Sequence, residues 1–210
     1  MQDQVPPEKV PHDELTFNTT PNILTMIRMC IVPVVVYMLF KKEPAWDMAA
    51  GWIFVAASIT DYFDGYVARI QKVETVYGKL LDPLADKFLV VSALIMLQEM
   101  QRIHPIVVIL LICREMAITG LRALASAEGL IIPASKTAKW KTATQMTAIP
   151  MLMAKQGLWG IPLYPIGNVL IYISLAISLW SGKDYIVDFF VGITAKRKEA
   201  RARKLAEKNH

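Results

Sequence analysis

Cysteine, histidine and glycine are all scarce in these 210 residues, with 2, 3 and 10 copies respectively. Cys30 and Cys113 stand alone in apolar stretches, with no CxxC and no neighbouring histidine. Disulfide scaffolds, thiol redox chemistry and Cys/His metal sites are thereby excluded, and both read as small core residues. His12, His104 and His210 lie far apart in sequence and no GxSxG occurs, so a histidine-assisted nucleophile has no support. The first twenty residues are polar and contain Asp3, Glu8, Asp13 and Glu14, which does not fit a cleaved signal peptide. No internal repeat or low-complexity tract is present.

Apolar residues, by contrast, are abundant. They make up 54% of the chain, too many for a soluble domain of this length, and the mean hydropathy is positive. Six apolar segments run over about 22–40, 47–68, 80–100, 103–120, 142–156 and 163–182. Each comes near the ~20 residues that span a bilayer as a helix, although the fifth is short and the fourth requires a tight turn at His104-Pro105. The expected fold is all-α: a polytopic membrane protein of six transmembrane helices.

Basic residues orient it. Arg69, Lys72 and Lys79 follow the second segment; Arg122, Lys136, Lys139 and Lys141 follow the fourth; eight more lie in the tail. The opposite loops hold only Lys41, Lys42, Arg102 and Lys155, so both termini are expected in the cytoplasm. Three regions follow: an N-terminal arm over 1–20, a six-helix domain over 21–182, and a segment over 183–210 with an apolar start and a basic end, suited to the membrane surface. The net charge of +5 is broken up by apolar blocks. A nucleic-acid groove needs a continuous basic face, so nucleic acid is not an expected partner; anionic membrane lipids are. Trp46, Trp52, Trp140, Trp159 and Trp180 are most simply interfacial anchors.

The polar residues inside the segments gather at the cytoplasmic ends. Asn22, Thr25 and Arg28 open the first, Asp61 and Asp64 end the second, Asp82 and Asp86 open the third, Arg114 and Glu115 end the fourth, and Lys139 and Lys141 open the fifth. An aspartate at mid-bilayer costs about 2.5 to 3.5 kcal/mol, less near the interface, so four of them need an offsetting interaction. A divalent cation supplies it, since carboxylates are hard oxygen ligands. Asp61 and Asp64 are three apart and Asp82 and Asp86 four apart, so each pair shares one helix face and two adjacent helices can unite all four. Gly65, Ala68 and Gly78 continue these stripes and allow close approach of a ligand or helix. Singly, such residues are more often solvated caps or packing positions.

The segment Asp61-Tyr-Phe-Asp-Gly-Tyr-Val-Ala-Arg69, followed by Gly78, Asp82 and Asp86, resembles the signature DxxDGxxAR(x8)GxxxDxxxD of the CDP-alcohol phosphatidyltransferase family. Eight positions at fixed spacing match by chance on the order of once in 10^10 windows. The resemblance implies that Asp61, Asp64 and Asp82 bind metal, Mg2+ or Mn2+ and two ions, while Asp86 is both ligand and general base. It also implies that Gly65, Arg69 and Thr75, with Asn22 and Thr25, hold CDP-diacylglycerol, and that the chain forms a homodimer. The stretches Cys113–Arg122 and Pro133–Thr142 resemble those of bacterial members that take glycerol-3-phosphate as acceptor. Arg114, Arg122, Lys136 and Lys139, with Lys141, could gather around its phosphate dianion, although orientation bias alone also puts cations there. The location implied is the bacterial inner (cytoplasmic) membrane, with the site facing the cytoplasm. The alternatives are a same-family enzyme with inositol phosphate, serine or phosphatidylglycerol as acceptor, a cation channel with an acidic ring, and a non-catalytic lipid-binding protein.

Overall fold

The computed structural model describes the backbone of residues 20–71, 76–130 and 136–208 and the side chains of 26–60, 87–130, 137 and 139–198. Six helices occur among the described residues: α1 (Thr20–Phe40), α2 (Pro44–Gln71), α3 (Val76–Glu99), α4 (Pro105–Ala127), α5 (Lys136–Met153) and α6 (Leu163–Lys208). The only extended pairing described is an isolated bridge between Leu158 and Ile161. The helices outrun their apolar cores. α4 continues to Ala127, so Arg122 is helical, and α5 begins at Lys136, so Lys136, Lys139 and Lys141 belong to its first turns rather than to a loop. α6 is unbroken for 46 residues, about 69 Å at 1.5 Å per residue, against roughly 30 Å of hydrocarbon. By length and composition, the stretch Leu163–Lys198 qualifies as a membrane span.

Two compact units divide the chain. The first takes in α1, α2 and α3 as far as Met96, with Met153–Lys155. Val35, Met38 and Leu39 of α1, Ala50, Phe54 and Ala57 of α2 and Leu89, Ala93 and Leu94 of α3 are buried in it. Arg28 and Asp47 are buried there too, and both make polar or electrostatic interactions. Tyr37 and Phe40 remain well exposed.

The second unit takes in residues 97–152 and 156–210. Its α6 presents one buried stripe at steps of three or four: Ile171, Ser174, Ser178, Ser181, Tyr185 and Phe189. Serines therefore lie inside, while Val169, Trp180, Phe190 and Val191 face outward. That polarity is the reverse of a water-soluble helix and suits a lipid surround, where small polar residues draw helices together. Gly167 shows how close the approach is, since a Cβ there would stand 2.9 Å from the Met151 Cβ and 3.1 Å from the Ala148 carbonyl oxygen.

The helix ends of this unit follow local rules. His104 caps α4, its Nδ1 accepting from the Ile106 N–H at 3.3 Å, and Pro105 takes the first helical position, where no N–H is needed; this is the tight turn expected at His104-Pro105. α4 closes with Gly129 at φ 68°, the Leu130 N–H reaching the Ala125 carbonyl and the Gly129 N–H reaching Ser126, the paired bonds of a Schellman cap. Between α5 and α6, Trp159 and Gly160 both have positive φ inside the Leu158–Ile161 bridge, as a type I′ turn requires. The Arg102 guanidinium donates to the Leu152 carbonyl at 3.1 Å and ties the α3–α4 connection to the end of α5.

Candidate active site

Asp61 and Asp64 lie in the last three turns of α2, and Asp82 and Asp86 in the first three turns of α3. Gly65 and Arg69 are on α2, and Asn22 and Thr25 on α1. The side chains of all these residues lie outside the described ones, as does Thr75 altogether. Among the described residues no group of three or more His, Cys, Asp or Glu is placed to hold a metal.

The cationic residues can be built up from their helices. Arg114 is two turns short of the Arg122 position on α4, and its side chain is only 11% exposed. Its Nε donates to the main-chain carbonyl of Ser178 at 2.9 Å, its NH2 donates to Ser181 Oγ at 2.7 Å, and its NH1 donates to Glu115 Oε2 at 3.4 Å. The same carboxylate oxygen accepts from Lys141 Nζ of α5, whose side chain is 7% exposed. Ser181 Oγ donates in turn to the Ser178 carbonyl, and Ser174 Oγ donates to the carbonyl of Lys141. Three helices thus meet in one polar network inside a unit otherwise packed with apolar side chains. In membrane proteins each such interhelical bond contributes roughly 0.6 kcal/mol, so the network orients side chains more than it stabilises the unit.

Arg114 and Lys141 are therefore brought together, while Arg122 and Lys139 take no part in the hydrogen bonds of that network among the described residues. The Arg122 guanidinium lies 5.5 Å from the centre of the Tyr185 ring, a cation–π stack. Lys139 is exposed, because residues two apart on a helix face different ways and Lys141 takes the inward direction. Lys136 starts α5, and its side chain is outside the described residues.

Sequence reasoning missed the partners. Ser178 and Ser181 were invisible as individual serines, although their three-and-four spacing with Ser174 and Tyr185 was there to be read. Glu115 was seen as a polar residue of the fourth segment, but not as the group joining two cations. Gly182 also belongs here: a Cβ would stand 3.3 Å from Arg114 Nε, so its absence opens the α6 backbone to the guanidinium.

Together these features define an all-helical protein with a span-length apolar helix and a partly buried Arg–Glu–Lys cluster. The chain belongs to the CDP-alcohol phosphatidyltransferase family, whose sequence model matches residues 18–180, and it is an enzyme of that class. It is 36% identical over 166 residues to the CDP-diacylglycerol–glycerol-3-phosphate 3-phosphatidyltransferase of Rickettsia bellii, covering 79% of this chain and 92% of the relative. To the enzyme of the same name from Cereibacter sphaeroides it is 40% identical over 142 residues, 66% of this chain and 64% of the relative. A cardiolipin synthase (CMP-forming) of Oryza sativa is 32% identical over 181 residues, 78% of this chain and 55% of the relative. The family uses divalent metal ions. The donor set suits them: four carboxylates from two consecutive helices, hard oxygen ligands with no competing thiolate or imidazole in the motif.

Proposed function

We propose that this chain transfers the phosphatidyl group of CDP-diacylglycerol to glycerol-3-phosphate. The acceptor hydroxyl oxygen bonds to the lipid-side phosphorus, the bond from that phosphorus to the CMP oxygen breaks, and the hydroxyl proton passes to the Asp86 carboxylate. The observation that carries this reading is the run Asp61–Asp86, in which all eight signature positions match at the signature spacing. The relatives named for glycerol-3-phosphate support the choice of acceptor.

Asp61, Asp64 and Asp82 would hold Mg2+ or Mn2+, two ions in all, with Asp86 as a further ligand. When bound, the metal neutralises charge developing on the diphosphate and leaving group. Arg69 adds a cation near the diphosphate, and Gly65, Thr75, Asn22 and Thr25 help hold the nucleotide end. Arg114 receives the acceptor phosphate, with Arg122, Lys136 and Lys139 adding positive potential. In our reading six helices span the inner membrane with both termini in the cytoplasm, over an arm (1–20), a catalytic domain (21–182) and a basic tail (183–210) that meets anionic headgroups. On that topology the motif aspartates, near the end of α2 and the start of α3, lie on the cytoplasmic side, where a lipid and a soluble substrate can meet. The protein works as a homodimer.

The test is CMP release by purified protein given glycerol-3-phosphate, serine, inositol phosphate or phosphatidylglycerol, with and without chelator. Release with glycerol-3-phosphate alone, abolished by chelation, is the expected result. Release dependent on phosphatidylglycerol would favour the second reading, to which the rice relative points.

A further inference from the structure

Two buried cations share one carboxylate oxygen in the second unit. Arg114 and Lys141 come from different helices and would repel each other in an apolar surround, so Glu115 is what lets them stand together. Glu115 is also the most open of the three, with a side chain 33% exposed against 11% and 7%.

Among the described residues the guanidinium is held mainly from α6. Of its five N–H groups, one on Nε and one on NH2 are committed to Ser178 and Ser181 of α6, and one on NH1 goes to Glu115 at 3.4 Å, the long limit of a hydrogen bond. One N–H on each terminal nitrogen has no protein partner among the described residues. Two such donors on one planar group match two oxygens of one phosphate.

We infer that Glu115 and Ser181 are positioning residues for the acceptor: Ser181 fixes the plane of Arg114, Glu115 keeps Lys141 beside it, and the two cations then take the acceptor's phosphate as a pair. This rests on the reading that Arg114 binds that phosphate. Neither Glu115 nor Ser181 touches the reacting atoms. The long NH1–Glu115 bond is the contact that an incoming phosphate competes for, so the carboxylate holds the anion's place until the acceptor arrives.

The test is steady-state CMP release by full-length protein in lipid nanodiscs, with glycerol-3-phosphate and CDP-diacylglycerol varied separately. Glu115→Gln is expected to raise the KM for glycerol-3-phosphate about tenfold while that for CDP-diacylglycerol stays within about twofold, and Glu115→Asp to recover part of the loss. Ser181→Ala, a smaller change that keeps the helix, is expected to raise the same KM about threefold and carries the test if Glu115→Gln does not fold. In a Lys141→Met background, Glu115→Gln should add less than about twofold, because its effect runs through Lys141. Equal rises in both KM values, or a lower kcat with both unchanged, would overturn the positioning role. Arg114→Ala separates the two levels: if it leaves the KM for glycerol-3-phosphate unchanged, the acceptor-phosphate reading fails. If it raises that KM while Glu115→Gln and Ser181→Ala do not, the positioning role alone fails.

Discussion

Arg114 Nε reaches the main-chain carbonyl of Ser178 at 2.9 Å, and it does so over Gly182. A helical carbonyl already accepts from the N–H four residues on, and the side chain of that residue normally covers it. With no side chain at Gly182, a second donor can enter from α4. Gly182→Ala puts a Cβ 3.3 Å from Nε, a crowding that a small shift of the arginine relieves. Gly182→Leu cannot be relieved in this way, and we expect the KM for glycerol-3-phosphate to rise about tenfold with the protein still folded. Wild-type kinetics in Gly182→Leu would show that this bond does not orient the guanidinium for substrate.

Asp86 carries the heaviest expectation. Removing a general base costs typically 10²- to 10⁴-fold, and Asp86→Asn also removes a metal ligand, so kcat should fall by about 10³ or more. Stripping bound metal with a chelator should abolish CMP release in the wild type, with recovery on adding Mg2+ or Mn2+. A variant that keeps more than about a tenth of its activity would remove Asp86 from the base role.

The α5–α6 turn gives a stability prediction independent of catalysis. Gly157 has φ 78°, and a Cβ there would stand 2.5 Å from the Ile161 carbonyl oxygen. Gly157→Ala therefore meets both an unfavourable backbone region and a clash, with an expected cost of about 1 kcal/mol or more. Thermal unfolding of the purified protein in detergent reads it as a lower Tm, and an unchanged Tm would show that the turn rearranges freely.

Topology can be read with single cysteines in a chain where Cys30 and Cys113 have been replaced. In intact cells a membrane-impermeant maleimide should label Trp159→Cys, at the exposed tip of the α5–α6 turn, and should label Lys198→Cys only after lysis. Labelling of both from the same side would contradict the proposed spans.

The helical fold and the six helices found among the described residues were legible because apolar runs and punctuation mark them plainly. The Asp61–Asp86 motif was legible as a family signature, and its pairs three and four apart fall within α2 and α3. Helix ends were less legible: hydropathy stops at the polar turns, whereas Arg122 and Lys136 to Lys141 remain hydrogen-bonded helix beyond it. The choice between Lys139 and Lys141 depended on how α5 is rotated, which depends on its neighbours and leaves little trace in composition. The role of Ser181 was hidden for the same reason, since a serine in a span reads as packing until the arginine opposite it is known.

The Schellman end of α4 has a consequence for how α4 and α6 slide. Leu130, turned by the cap, meets α6 at Gly192, where a Cβ would stand 3.8 Å from both of its terminal methyls. Ser178, which receives Arg114, is fourteen residues earlier, about 21 Å along the same helix. The axial register of this pair is thus pinned at two distant points, and a slip of one turn would break both at once. Such a helix pair resists axial displacement more than either contact alone would.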